Sequence, residues 1–355
     1  MPSLFDPIRL GDLDLPNRII MAPLTRMRAS EDRVPTPLVA EYYSQRATAS
    51  LIIAEATCVD AMGVGYAHTP GIWTLEQIEG WKAVTKSVHD AGGRILLQLW
   101  HVGRVADPEQ IGGSTPVSAS AIAAQGWVSL KRPKRAYSIP RPLTVEEIKA
   151  IVETFRRGAQ NAQEAGFDGV EIHGANGYLL DQFLQDSTNK RDDDYGGPVE
   201  NRARFHLEAT DACISVWGAD RVGMHLAPRC DAHDMGDSNP TETFGYVARE
   251  LGRRKIAFLF LREHVGPDRL APHLKTCFGG PIICNEQYTL EQSKADLDQG
   301  IADAIGFGRT YIANPDLVAR LRSGARLNEP DMSTFYTPGP KGYTDYPTLR
   351  HAGVA

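Results

Sequence analysis

The chain has 355 residues, 42% hydrophobic and 23% charged, which is enough to bury a large core and excludes a disordered segment. Its formal net charge of −6 excludes the clustered positive field of a non-specific nucleic-acid binder, and no apolar run approaches the ~18–20 residues of a membrane-spanning helix. Five cysteines without a Cys-x-x-Cys pair exclude a disulfide scaffold and zinc-ligand spacing. The opening MPSLFDPIRLGDLDL lacks the basic and apolar stretches of a signal peptide, so a cytoplasmic setting is expected. The one basic stretch, Lys131-Arg132-Pro133-Lys134-Arg135, reads as a solvated loop.

Short apolar, β-rich runs recur in chain order: RIIMAPL (18–24), LIIAEAT (51–57), RILLQLW (94–100), GVEIHGA (169–175), RVGMHLA (221–227), IAFLFLR (256–262), PIICNE (281–286) and ADAIGFG (302–308). They are near-continuously apolar, as suits parallel strands covered on both faces. Helical segments lie between them. One starts at a Thr cap, TLEQIEGWKAVTKSVHDAGG; another at Thr144, with Glu147 completing a capping box. In ANPDLVARLRSG, Asn314 is expected at the cap, Pro315 at the first helical position and Gly324 past the end. Eight strand–helix units predict a (β/α)8 barrel forming one domain over 1–355, with an N-terminal lid and inserted loop segments. An open doubly wound sheet is the competing arrangement, weakened by the absence of GxGxxG after the first strand. The residues beyond the ~250 a barrel needs fall before the first strand, in 101–142, expected to fold over the barrel mouth, and after 325.

In such a barrel the active site forms at the carboxyl ends of the strands. The densest cluster there is His173, Asn176 and Tyr178, with Gly174 and Gly177 permitting a tight exit from the strand. His173 and Asn176 can aim neutral donors at one carbonyl oxygen, and a phenol near its ordinary pKa stays protonated and can serve as an acid. The same residues also suit a satisfied buried histidine and a core aromatic. Arg309 follows Gly308 at the end of the eighth strand; with main-chain N–H groups of Asn285-Glu286-Gln287 it suits a phosphate, unless it is a surface arginine capping carbonyls.

The segments NRIIMAPLTR, PTPLVAEYYSQRA, LIIAEAT, QLWHVGR, AGFDGVEIHGANGYLLDQFL, DDYGGPVENRARF, GFGRTYIANPDLVARL and GYTDYP together resemble the Old Yellow Enzyme family of FMN-dependent ene-reductases over nearly the whole chain, and within it look like the bacterial N-ethylmaleimide, nitrate-ester and 2-cyclohexenone reductases. The resemblance implies FMN as cofactor, NADPH or NADH as reductant, and a small-molecule substrate, with the protein a monomer or homodimer. Pro23, Leu24, Thr25, Ala56 and Gln98 would line the flavin, and Tyr336 would flank its edge. Glu286 and Gln287, Gly308 and Arg309 would hold its phosphate; Trp100 would wall the substrate pocket. His173 and Asn176 would bind the substrate carbonyl, and Tyr178 would protonate Cα after hydride reaches Cβ of an α,β-unsaturated carbonyl; nitro compounds and nitrate esters are further candidates.

Two departures stand out. His225 occupies the place of an arginine that the family sets beside flavin N1, which predicts a lowered or pH-dependent flavin potential, with Arg229 as a possible substitute. The segment REHVGPDRLAPHLKT after the sixth strand is short, which bears on substrate range. Two other readings compete with an ene-reductase: a hydroxyacid oxidase, which the HGANGY cluster argues against, and a flavin reductase or sensor made possible by His225.

Overall fold

The computed structural model describes residues 2–129, 133–230 and 232–349. Eight parallel strands close on themselves: β1 (Ile19–Met21), β2 (Leu51–Ile53), β3 (Ile95–Trp100), β4 (Val170–His173), β5 (Val222–Leu226), β6 (Phe258–Arg262), β7 (Ile282–Asn285) and β8 (Ala304–Phe307). Each pairs in parallel with its neighbour in sequence, and β8 returns to β1 with Ile305 opposite Ile19. All eight lie within the predicted apolar runs. Among the described residues, the longer helices α1 (Pro37–Ser44), α2 (Leu75–Asp90), α3 (Val145–Glu164), α4 (Arg204–Trp217), α5 (Pro240–Arg254), α6 (Ala271–Phe278), α7 (Leu290–Asp298) and α8 (Leu317–Ser323) cover the outside, with short helices at Leu179–Leu184, Val199–Arg202 and Arg309–Ala313. The fold is the expected (β/α)8 barrel.

The alternation of strand side chains explains why the runs look continuously apolar. Leu97, Leu99, Ile172, Met224, Leu259 and Ile305 point outward into the cluster shared with the helices. Ile20, Ile53, Leu96, Phe258, Phe260 and Ile283 point inward. The inward set turns polar toward the mouth: Gln98, Glu171, His173 and His225 are all buried there. Gly306 on β8 leaves room for the Phe260 ring, because a Cβ at that glycine would meet Phe260 Cζ at 2.7 Å.

The N-terminal lid closes the end opposite the mouth. An antiparallel hairpin, Ile8–Leu10 with Leu13–Leu15, adds Leu10, Leu13 and Leu15 to the interior cluster. Asp12 N donates to Asp220 O at 3.2 Å, just ahead of β5. The inserted segment 101–142 reaches the mouth, where Ser129 lines a cavity. Of the basic stretch, Pro133 and Lys134 are exposed, whereas Arg135 pairs with Asp107 and Glu109; Lys131 and Arg132 lie outside the described residues.

Helix starts follow local chemistry. Thr74 and Thr144 each form a full capping box, with Gln77 and Glu147. The expected cap at Asn314 is corrected: α8 begins after Asp316, and the Asn314 side chain instead joins Thr310 O (2.9 Å) to the Asn328 main chain. Gly324 does end α8 in the left-handed conformation.

The tail after α8 comes back to β1. Arg26 is buried among Tyr42, Phe335 and Tyr343, and donates to Tyr42 Oη (2.8 Å), Gly342 O (2.8 Å) and Phe335 O (3.3 Å). Arg28 donates to Phe335 O (2.7 Å) and Thr334 O (2.9 Å). This strap carries Tyr336 to the mouth.

Candidate active site

Two cavities, about 370 and 350 Å3, occupy the mouth. Both are lined by Pro23, Leu24, Asn176 and Tyr336, so they form one trough. Every residue assigned to the flavin or the substrate from the sequence lines it, apart from the alternative Arg229. Thr25, Ala56, Gln98, Trp100, His173 and Tyr178 face one compartment; His225, Glu286, Gln287, Gly308 and Arg309 face the other.

Gln98 Nε2 donates to Glu171 Oε2 at 2.6 Å and lies 3.0 Å from His225 Nδ1. An amide nitrogen only donates, so Nδ1 of His225 accepts and the ring proton sits on Nε2. Nε2 is buried without a partner among the described residues. Burial, with His173 and Arg262 nearby, holds His225 well below the usual imidazole range. The shift favours the neutral ring, which argues against the pH-dependent half of the expectation. Burial also pushes Glu171 up to about 8, with the Gln98 hydrogen bond opposing.

His173 stacks on His225 at 5.2 Å between ring centroids and meets the Tyr178 ring edge-on at 4.9 Å. Burial, then Arg262 and His233, pushes its pKa down to about 3, so the ring is a neutral donor. Burial raises Tyr178 above the ordinary phenol range, against the hydrogen bond from Tyr66, whose Oη is 3.1 Å away. Trp100 stacks on Tyr66 at 5.7 Å and meets Tyr178 at 4.9 Å. Asn176 is left-handed at φ 58, and its C=O accepts from His233 Nδ1 at 2.7 Å.

The other end of the trough gathers main-chain donors and charged side chains. The N–H groups of Gln287, Arg309 and Thr310 make no hydrogen bond among the described residues. Glu286 (φ 108) and Gln287 (φ 57) hold positive angles unusual outside glycine, a local strain of about 1–3 kcal/mol each. The Glu286 carboxylate binds Arg262 Nε at 2.6 Å and approaches Arg309 at 3.8 Å. Two cations against one carboxylate leave the corner with one net positive charge.

Arg229, the suggested substitute for the missing arginine, is engaged elsewhere, with Glu263 (2.7 Å), Asp268 and the His264 carbonyl (2.6 Å). Besides Arg309, the trough holds Arg262, at the end of β6, which donates to Asn176 Oδ1 at 3.0 Å. None of residues 264–270, in the short segment after β6, lines either cavity. Tyr66, His233, Glu171 and Arg262 escaped the sequence reading. Glu171 and Arg262 had a signal: charged residues on the inward face of apolar runs, Glu171 two positions before His173. Tyr66 and His233 come from loops and had none.

The trough suits FMN. It carries orphaned buried polar atoms (His225 Nε2 and His173 Nδ1), two compartments sharing four lining residues, and a net-positive corner with free N–H groups at one end. A parallel barrel with this mouth defines a flavin-dependent oxidoreductase. A family model described as the NADH:flavin oxidoreductase / NADH oxidase family matches residues 3–328. The chain belongs to this family, that of Old Yellow Enzyme, and is an FMN-dependent oxidoreductase using a nicotinamide reductant. It is similar to 12-oxophytodienoate reductase 1 of Oryza sativa subsp. japonica, 44% identical over 98% of this chain and 93% of that one. Among solved structures it is similar to the Old Yellow Enzyme homologue of Zymomonas mobilis (46% identity, TM-score 0.95, covering 98% of this chain and 100% of that one). Morphinone reductase in complex with tetrahydroNAD matches at 47% identity and TM-score 0.96, covering 100% of both chains. No helix among the described residues is long and apolar enough to cross a membrane.

Proposed function

We propose that this enzyme reduces the activated carbon–carbon double bond of α,β-unsaturated carbonyl compounds, at the expense of NADPH or NADH. The observation that carries this reading is the shared cavity of His173, Asn176 and Tyr178, in which a neutral imidazole, a carboxamide and a protonated phenol converge. Bound FMN supplies the hydride. Pro23, Leu24, Thr25, Ala56, Gln98, His225 and Tyr336 line its ring site, and Gln287, Gly308 and Arg309 its phosphate site, with Glu286 contributing main chain. His173 and Asn176 donate to the substrate carbonyl oxygen, where negative charge grows as Cβ accepts hydride. A preorganised donor of this kind is worth about 3–4 kcal/mol. Tyr178 gives its Oη proton to Cα, and Trp100 closes the wall behind it.

The neutral His225 favours a second reading, a flavin reductase or sensor, because it supports negative charge on the reduced cofactor less than a cation does. One stopped-flow experiment separates them. Anaerobic NADPH is expected to bleach the flavin, and 2-cyclohexenone to restore its colour. Bleaching without restoration by any activated alkene refutes the ene-reductase reading and leaves the second.

A further inference from the structure

Asn176 belongs to both compartments of the trough and is fixed from two sides. Its main chain is set by the left-handed angle and the His233 hydrogen bond. That leaves the carboxamide free to turn about its last bond, and its two ends are nearly the same size. Which end faces the substrate decides whether Asn176 attracts or repels a carbonyl oxygen.

Arg262 decides it. A guanidinium only donates, so the atom 3.0 Å from Arg262 Nη1 must be the acceptor Oδ1. Nδ2 then lies on the far side, and it makes no hydrogen bond to any described residue. Arg262 is itself held by Glu286 at 2.6 Å. We propose that Arg262 is a positioning residue that locks the Asn176 carboxamide with its amine toward the substrate carbonyl, and so makes Asn176 a donor. This rests on reading His173 and Asn176 as the carbonyl clamp. Arg262 acts through Asn176, not on the substrate.

The test uses holoenzyme with oxidised flavin and 2-cyclohexenone as probe. Binding is followed by the perturbed flavin spectrum, and hydrogen bonding to the probe by its infrared carbonyl band. Arg262→Ala is expected to weaken binding about tenfold and move the band toward that of the free ketone. Asn176→Ala should do the same, and the double variant should match Asn176→Ala alone. Arg262→Lys, which still donates, should stay within about threefold of the parent. Because Arg262→Ala strands the Glu286 carboxylate, Arg262→Ala/Glu286→Gln is measured beside it; with normal FMN content it should reproduce the loss. If Arg262→Ala still costs about tenfold in the Asn176→Ala background, Arg262 acts by its own charge and the proposal is wrong. If Asn176→Ala shifts the band and Arg262→Ala does not, the proposal fails and the clamp survives. If Asn176→Ala changes nothing, the clamp reading falls and the proposal with it.

Discussion

Glu286 places a carboxylate in the corner proposed for a phosphate, and its removal has a calculable effect. The carboxylate lies 3.8 Å from Arg309, a pair worth about 1 kcal/mol at the dielectric constant of water and about 4 kcal/mol at an effective value of 20. Arg309 is half exposed, so the lower figure governs. An incoming phosphate has to compete for Arg309 with this internal anion. Glu286→Gln keeps the shape, removes the competitor and raises the corner from one net positive charge to two. FMN is expected to bind about fivefold more tightly, following from about 1 kcal/mol, with the gain shrinking as salt is added. The assay is quenching of flavin fluorescence on titration with apoprotein, at low and high salt. Riboflavin, which lacks the phosphate, is the control and should bind the variant and parent alike. Unchanged or weaker FMN binding, or equal tightening of riboflavin, refutes the reasoning.

Tyr178→Phe should slow reoxidation of the flavin by 2-cyclohexenone by about a hundredfold, with reduction by NADPH changed far less; equal slowing of both half-reactions rules out the acid role. His225→Arg should raise the flavin potential by about 30 mV, the equivalent of about 1.4 kcal/mol for two electrons; spectroelectrochemical titration with no rise would show that charge at this position does not reach the cofactor. Glu171 gives a pH signature. Its unfolded carboxyl ionises near 4.5, while burial keeps it protonated up to about 8 in the folded protein, so the folded state holds the extra proton between these values and stability falls as pH rises through them. Glu171→Gln should therefore gain in Tm over the parent progressively from pH 5 to pH 8; parallel Tm curves would mean that Glu171 ionises normally.

The strands were legible because each run is apolar on both faces, and alternation then assigns the inward set. Gln98, His173 and His225 could be placed at the mouth from that pattern alone. What sequence could not supply was the partner of each group across the barrel. Arg229 and Arg262 are both arginines near strand ends. Their different fates depend on Glu263, which takes Arg229 and also caps α6 through the Leu270 and Ala271 N–H groups at 2.7 and 2.9 Å. Glu286 was expected to contribute only main chain; its side chain turned out to hold Arg262. The Asn314 cap failed because its side chain is taken by Asn328, fourteen positions later.

The strap that Arg26 and Arg28 hold has a consequence for biogenesis. Arg26 and its acceptor Phe335 O are 309 positions apart. During synthesis β1 emerges long before residues 334–343, so until those residues follow both guanidiniums lack the tail carbonyls they bind. A buried cation without partners is costly, so the β1 loop stays solvated and the wall bearing Tyr336 is missing. The barrel strands precede the strap in the chain, so the trough gains the wall that bears Tyr336 only after the strap has been made and docked.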